Sequence, residues 1–110
     1  MEKQIVRDAV HIKLQVPIES PIISVYEFCY ICGYGLNKMN ATAEVIEEIR
    51  SITDFELLKK KMHETVASSD VWGSLPQGER LKSLILGCRL KNRQIDGQAR
   101  ELFEMGIKGS

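Results

Sequence analysis

The chain has 110 residues, an apolar fraction of 44%, and 15 basic against 15 acidic side chains, so its formal net charge is zero. This length suits one domain spanning 1–110, with a real hydrophobic core and no room for a cofactor fold beside a separate substrate domain. The charge balance argues against a highly basic nucleic-acid coat or a polyanion mimic, and it puts no electrostatic brake on self-association.

The opening MEKQIVRDAV has no apolar centre of the kind an export signal needs, so a cytoplasmic protein is expected. The run Val10-His11-Ile12-Lys13-Leu14-Gln15-Val16 then alternates apolar with polar residues. That pattern predicts a strand burying Val10, Ile12, Leu14 and Val16 on one face, ended by Pro17. A helix can be drawn through Ile5, Ala9, Ile12 and Val16, but the β-branched content favours the strand.

The stretch Ile22 to Leu36, IISVYEFCYICGYGL, must be buried, because only Ser24 and Glu27 in it are clearly polar. It is too short and too interrupted to span a bilayer, and no membrane partner is expected. Two readings compete. As a strand it would pair with 10–16 through a turn at Glu19-Ser20-Pro21. As a helix, which is slightly favoured, it would have Ser20 as N-cap, Pro21 as first residue and Gly33 or Gly35 as terminator. The helix leaves the 10–16 strand without a neighbour in this chain, so a second copy or a protein target would have to complete it.

Four further helical segments follow. Asn40 or Thr42 caps one running to about Arg50, with Val45, Ile46, Ile49 and Ile52 inward and Glu44, Glu47 and Glu48 outward. Thr53-Asp54-Phe55-Glu56 has the form of a capping box, and the helix after it buries Phe55, Leu58, Met62 and Val66. Val71-Trp72-Gly73 is an apolar loop, with Trp72 expected over the edge of the core. Ser74-Leu75-Pro76-Gln77 reads as another capping box, leading a helix with Leu81, Leu84, Ile85 and Cys88 inward. Asp96 caps a final helix with Ala99, Leu102 and Phe103 inward and Gly106 at its end. The expected fold is therefore α+β and predominantly helical, with one or two N-terminal strands followed by a small bundle of four or five short helices.

The chemistry-bearing motifs are few. Cys29-Tyr30-Ile31-Cys32-Gly33 resembles half of a zinc-ribbon or rubredoxin-like knuckle. A tetrahedral site needs four ligands, and His11, His63 and Cys88 stand at no standard spacing to complete one. A redox pair would sit at a helix start after a strand. Cys29 and Cys32 lie late in an apolar run, where cysteine is simply a small hydrophobe. No cofactor is expected, and no motif of a metalloprotease, phosphate loop or serine hydrolase is present. The two histidines read as surface groups.

A nucleic-acid reading rests on 81–103. The interval Arg80 to Arg93 carries five cations and no acid. Two short helices with a polar turn could form a helix-turn-helix presenting Arg89, Lys91, Arg93, Gln98 and Arg100 to a duplex. The preferred reading is a docking or regulatory domain without catalysis. It would self-associate or bind a protein through Val10, Ile12, Leu14, Val16 and Trp72. DNA binding and zinc binding through Cys29 and Cys32 are the alternatives.

Overall fold

A computed structural model describes residues 2–15 and 20–109. Among them are six α-helices and two short strands. The helices are α1 (Glu2–Gln15), α2 (Val25–Lys38), α3 (Ala43–Arg50), α4 (Phe55–Ala67), α5 (Gly78–Gly87) and α6 (Gly97–Ile107). The strands are β1 (Ile22–Ile23) and β2 (Arg89–Leu90), and a 3-10 turn covers Val71–Ser74. The expectation of a mainly helical α+β fold is met, with six helices in place of four or five.

The strand expected at 10–16 is overturned, because that segment lies in α1 as far as it is described. Val16, Pro17 and Glu19 fall outside the described residues. The alternation has a helical cause. Val10 and Leu14, four apart, face the core, being 0% and 7% exposed, while Ile12 lies on the far side at 64%. A helix with two apolar stripes mimics a period of two over one turn. Lys13 stays on the inner side and ion-pairs with Glu27, the one buried charged residue among those described.

The strand that does form is two residues long. Ile22 and Ile23 run parallel to Arg89 and Leu90, and Arg89 N donates to Pro21 O at 2.8 Å. Lys91 N donates to Ile23 O at 2.9 Å. Parallel pairing needs a long crossover, and here four helices, α2 to α5, supply it.

Helix α2 is the centre of the molecule. Its N-cap is Ser24 rather than Ser20: Ser24 Oγ accepts from Glu27 N, and the Glu27 carboxylate accepts from Ser24 N. This reciprocal capping box starts the helix two residues beyond β1. Neither Gly33 nor Gly35 stops it; both are interior and buried. Gly33 faces Gly106 of α6, which likewise lies inside its helix. A Cβ on Gly33 would stand 2.1 Å from Phe103 O, and one on Gly106 2.3 Å from Tyr30 O. The two backbones thus meet where neither has a side chain, making α2 and α6 the most extensive helix pair. Gly35, on another side of α2, leaves space for Ile85 and the Trp72 ring.

The remaining helices cover this pair. Thr42, Asp54 and Asp96 each accept from a backbone N–H in the first turn of α3, α4 and α6. Phe55, Leu58, Met62 and Val66 of α4 are all buried, as are Leu81, Leu84 and Ile85 of α5. Phe28 and Phe55 meet edge to face at 6.1 Å between centroids. Trp72 is 1% exposed and its Nε1 donates to Val66 O at 3.2 Å. It is core, so the expectation that it belongs to an interaction surface does not hold. Ser74 does not cap α5; it ends the 3-10 turn, and Gln77 precedes the helix in the left-handed region.

Candidate functional site

Two features stand out from a surface of scattered charge. One is a cleft of about 220 Å³ between α2, α3, α4 and α6. The other is the outer face of α1.

The cleft is built from the stripes that make the core. Cys29 of α2 contributes a thiol that is 3% exposed. Ile49 of α3, Ile52 just after it, Leu58 of α4, Ile95 and Phe103 supply apolar walls. Arg50, one position past Ile49, is turned towards α6. Its Nε donates to Glu104 Oε2 at 2.7 Å and its Nη2 to Glu104 Oε1 at 3.0 Å. A two-pronged contact of this kind fixes geometry as well as charge. Glu47, one turn earlier, accepts from the same guanidinium. The hydrogen bond to Glu104 is the main cause holding Arg50 above its ordinary pKa. Arg100 lies one turn before Glu104 and also lines the cleft. It is exposed, and its side chain makes no ion pair among the described residues.

The thiols are poorly suited to reaction. Burial, with a smaller effect of Asp96, pushes Cys29 up to about 12. Burial raises Cys32 too, ahead of its neighbours Cys29 and Cys88, and lifts Cys88 to about 11. A nucleophilic or metal-binding cysteine needs the opposite shift. Both members of the Cys29–Cys32 pair lie inside α2, and among the described residues no three His, Cys, Asp or Glu side chains gather as a metal site.

The basic segment is dispersed rather than arrayed. The helix-turn-helix expected over 81–103 is not formed, because Arg89 and Leu90 are drawn into the strand pair with Ile22 and Ile23. Arg89 and Lys91 are exposed. Arg93 reaches back to α4, donating to Glu56 Oε1 at 3.0 Å and lying 5.8 Å from the Phe55 ring centroid. Gln98 is half-buried in the first turn of α6, and Arg100 is at the cleft.

The outer face of α1 carries Ile5 and Ile12, 65% and 64% exposed, seven residues apart and so on one side of the helix. Half-buried Ala9 lies between them. Ile12 is the one residue of the expected interaction surface that a described, exposed position retains. Sequence reasoning missed the Arg50–Glu104 pair altogether, since its partners are 54 positions apart and neither has a local signature.

Fold and surface together define a small helical domain with a covered core and an apolar cleft. Among the described residues no helix is long and apolar enough to cross a membrane. A family model described as a domain of unknown function, DUF3837, matches residues 1–110, and the chain belongs to that family. Comparison with curated proteins and with solved structures gives no match.

Proposed function

We propose that this protein is a docking module that works by association rather than catalysis, and that its first partner is a second copy of itself, met through the outer face of α1. The observation that carries this reading is the exposure of Ile5 and Ile12 on a helix whose other face is already buried. Large exposed apolar residues aligned on one helix face mark interaction surfaces. The stripe is self-complementary. When two such helices cross antiparallel, Ile5 of each meets Ile12 of the other, and Ala9 at the centre permits close approach. Zero net charge removes the long-range repulsion that would oppose pairing of like chains.

Sedimentation equilibrium from micromolar to submillimolar concentration tests the reading. The expected outcome is a concentration-dependent dimer, and a monomer of unchanged helicity after Ile5→Lys with Ile12→Lys. A wild-type monomer throughout, or a double variant that still dimerises, overturns it.

A further inference from the structure

We infer that the cleft between α3 and α6 is a binding site for a small monocarboxylate with an apolar body, held with its tail towards Cys29 and its carboxylate on Arg100. The argument starts from what the lining can satisfy. Its floor is a neutral thiol and the walls at Ile49, Ile95 and Phe103 offer no hydrogen bond to a ligand, so the interior selects an apolar group. About 220 Å³ amounts to roughly seven waters of liquid volume. That is enough for a short alkyl chain or one aromatic ring and too little for a nucleotide or a large cofactor.

The charged groups at the rim fix the other end. Three ionised side chains line the cleft, namely Arg50, Glu104 and Arg100. Arg50 and Glu104 are committed to each other by two hydrogen bonds, and Arg50 to Glu47 as well. The charge left uncommitted is the Arg100 guanidinium. A planar fork with one positive charge pairs two-pronged with a carboxylate, and one cation balances the single charge of a monocarboxylate but not that of a multiply charged phosphate. The fixed Arg50–Glu104 pair then acts as a polar border that does not compete for the ligand. Both sides of the site belong to packed helices, so little ordering is needed on binding. No residue of α1 lines the cleft, which makes this inference independent of the dimer proposed above.

Octanoate is the test probe, with 1-octanol and octylammonium of the same length as comparators, titrated against the isotope-labelled full chain. Saturable shifts of the Cys29, Ile95 and Phe103 amides are expected with octanoate. Octanol should shift the same amides but bind more weakly, and octylammonium should bind least. Arg100→Gln should weaken octanoate about tenfold, the loss of one charge-assisted hydrogen bond, and leave octanol within about twofold. Lys91→Gln, an exposed cation outside the cleft, should change neither. The site is overturned if octanoate leaves these amides unmoved, if octylammonium binds as well as octanoate, or if Arg100→Gln leaves octanoate affinity intact. Arg100 is exposed on α6, so its variant is expected to fold, and matching spectra without ligand check this.

Discussion

Helices α2 and α1 are both rich in apolar residues, yet the molecule uses them in opposite ways. Helix α2 is surrounded: α6 on one side, α5 and Trp72 on another, α1 on a third. Its glycines are the points of closest contact. Helix α1 is covered on one side alone, with Val10 and Leu14 inward and Ile5 and Ile12 in solvent. The contrast separates two meanings of hydrophobicity along one chain. In α2 it stabilises the fold; in α1 half of it stays in solvent.

Substitutions at the α2–α6 crossing test the first half of that contrast most severely. Gly33→Ala or Gly106→Ala puts a methyl group into a backbone oxygen, so the helices must move apart. The expected cost is about 3 kcal/mol or more, at the upper end for overpacking, read as a fall in the denaturation midpoint. Gly87→Ala is the control, since nothing lies within 4 Å of a Cβ there. It should be neutral or slightly stabilising.

A smaller effect is expected at the cap of α2. Ser24→Ala removes the hydroxyl that accepts from Glu27 N and should cost about 1 kcal/mol in urea unfolding. The cost should fall if β1 alone sets where α2 begins.

Titration gives an effect of known sign. Asp96 is held below the usual carboxylate range, chiefly by accepting from Ala99 N and then from the Tyr26 hydroxyl. A carboxylate lowered in the folded state stabilises the protein above its unfolded pKa of about 3.9. That stability is lost as pH falls through the lower folded value, and Asp96→Asn should flatten the acid limb. The thiols act at the other end. Cys29, raised to about 12, favours the folded state below the unfolded thiol pKa of about 8.5. This advantage should decline as pH rises from there towards 12, and less so in Cys29→Ala. Half-buried Cys88 should react with a thiol reagent first, and Cys29 and Cys32 only as the chain unfolds.

The least effect on folding is expected on the outside of α1. Ile12→Lys should change monomer stability by less than about 0.5 kcal/mol, as for other exposed sites, while abolishing association. A large loss of stability there would mean that α1 is buried more fully than its exposure implies.

The sequence was most informative where helices obey one rule at a time. The caps at Thr42 and Asp96 and the stripe from Phe55 to Val66 could be read directly, because side-chain caps and single-faced amphipathicity are local. It misled where one residue type serves two purposes. Glycine both ends helices and lets them touch, and nothing near Gly33 or Gly106 in sequence distinguishes the two. Val10 to Leu14 looked like a strand because both faces of α1 carry apolar groups. The cleft could not be read at all, since Cys29, Arg50 and Arg100 come from helices whose packing no local pattern encodes.

The crossing of α2 with α6 also sets the order of events during synthesis. Tyr26 and its partner Asp96 are 70 residues apart, with three helices made in between. At roughly 5–20 residues per second, α2 waits on the order of 4–14 s for the helix that covers its glycine face. Through that interval α1 and then α5 can cover other sides of the most apolar segment, but its Gly33 face lacks the helix it packs against in the folded chain.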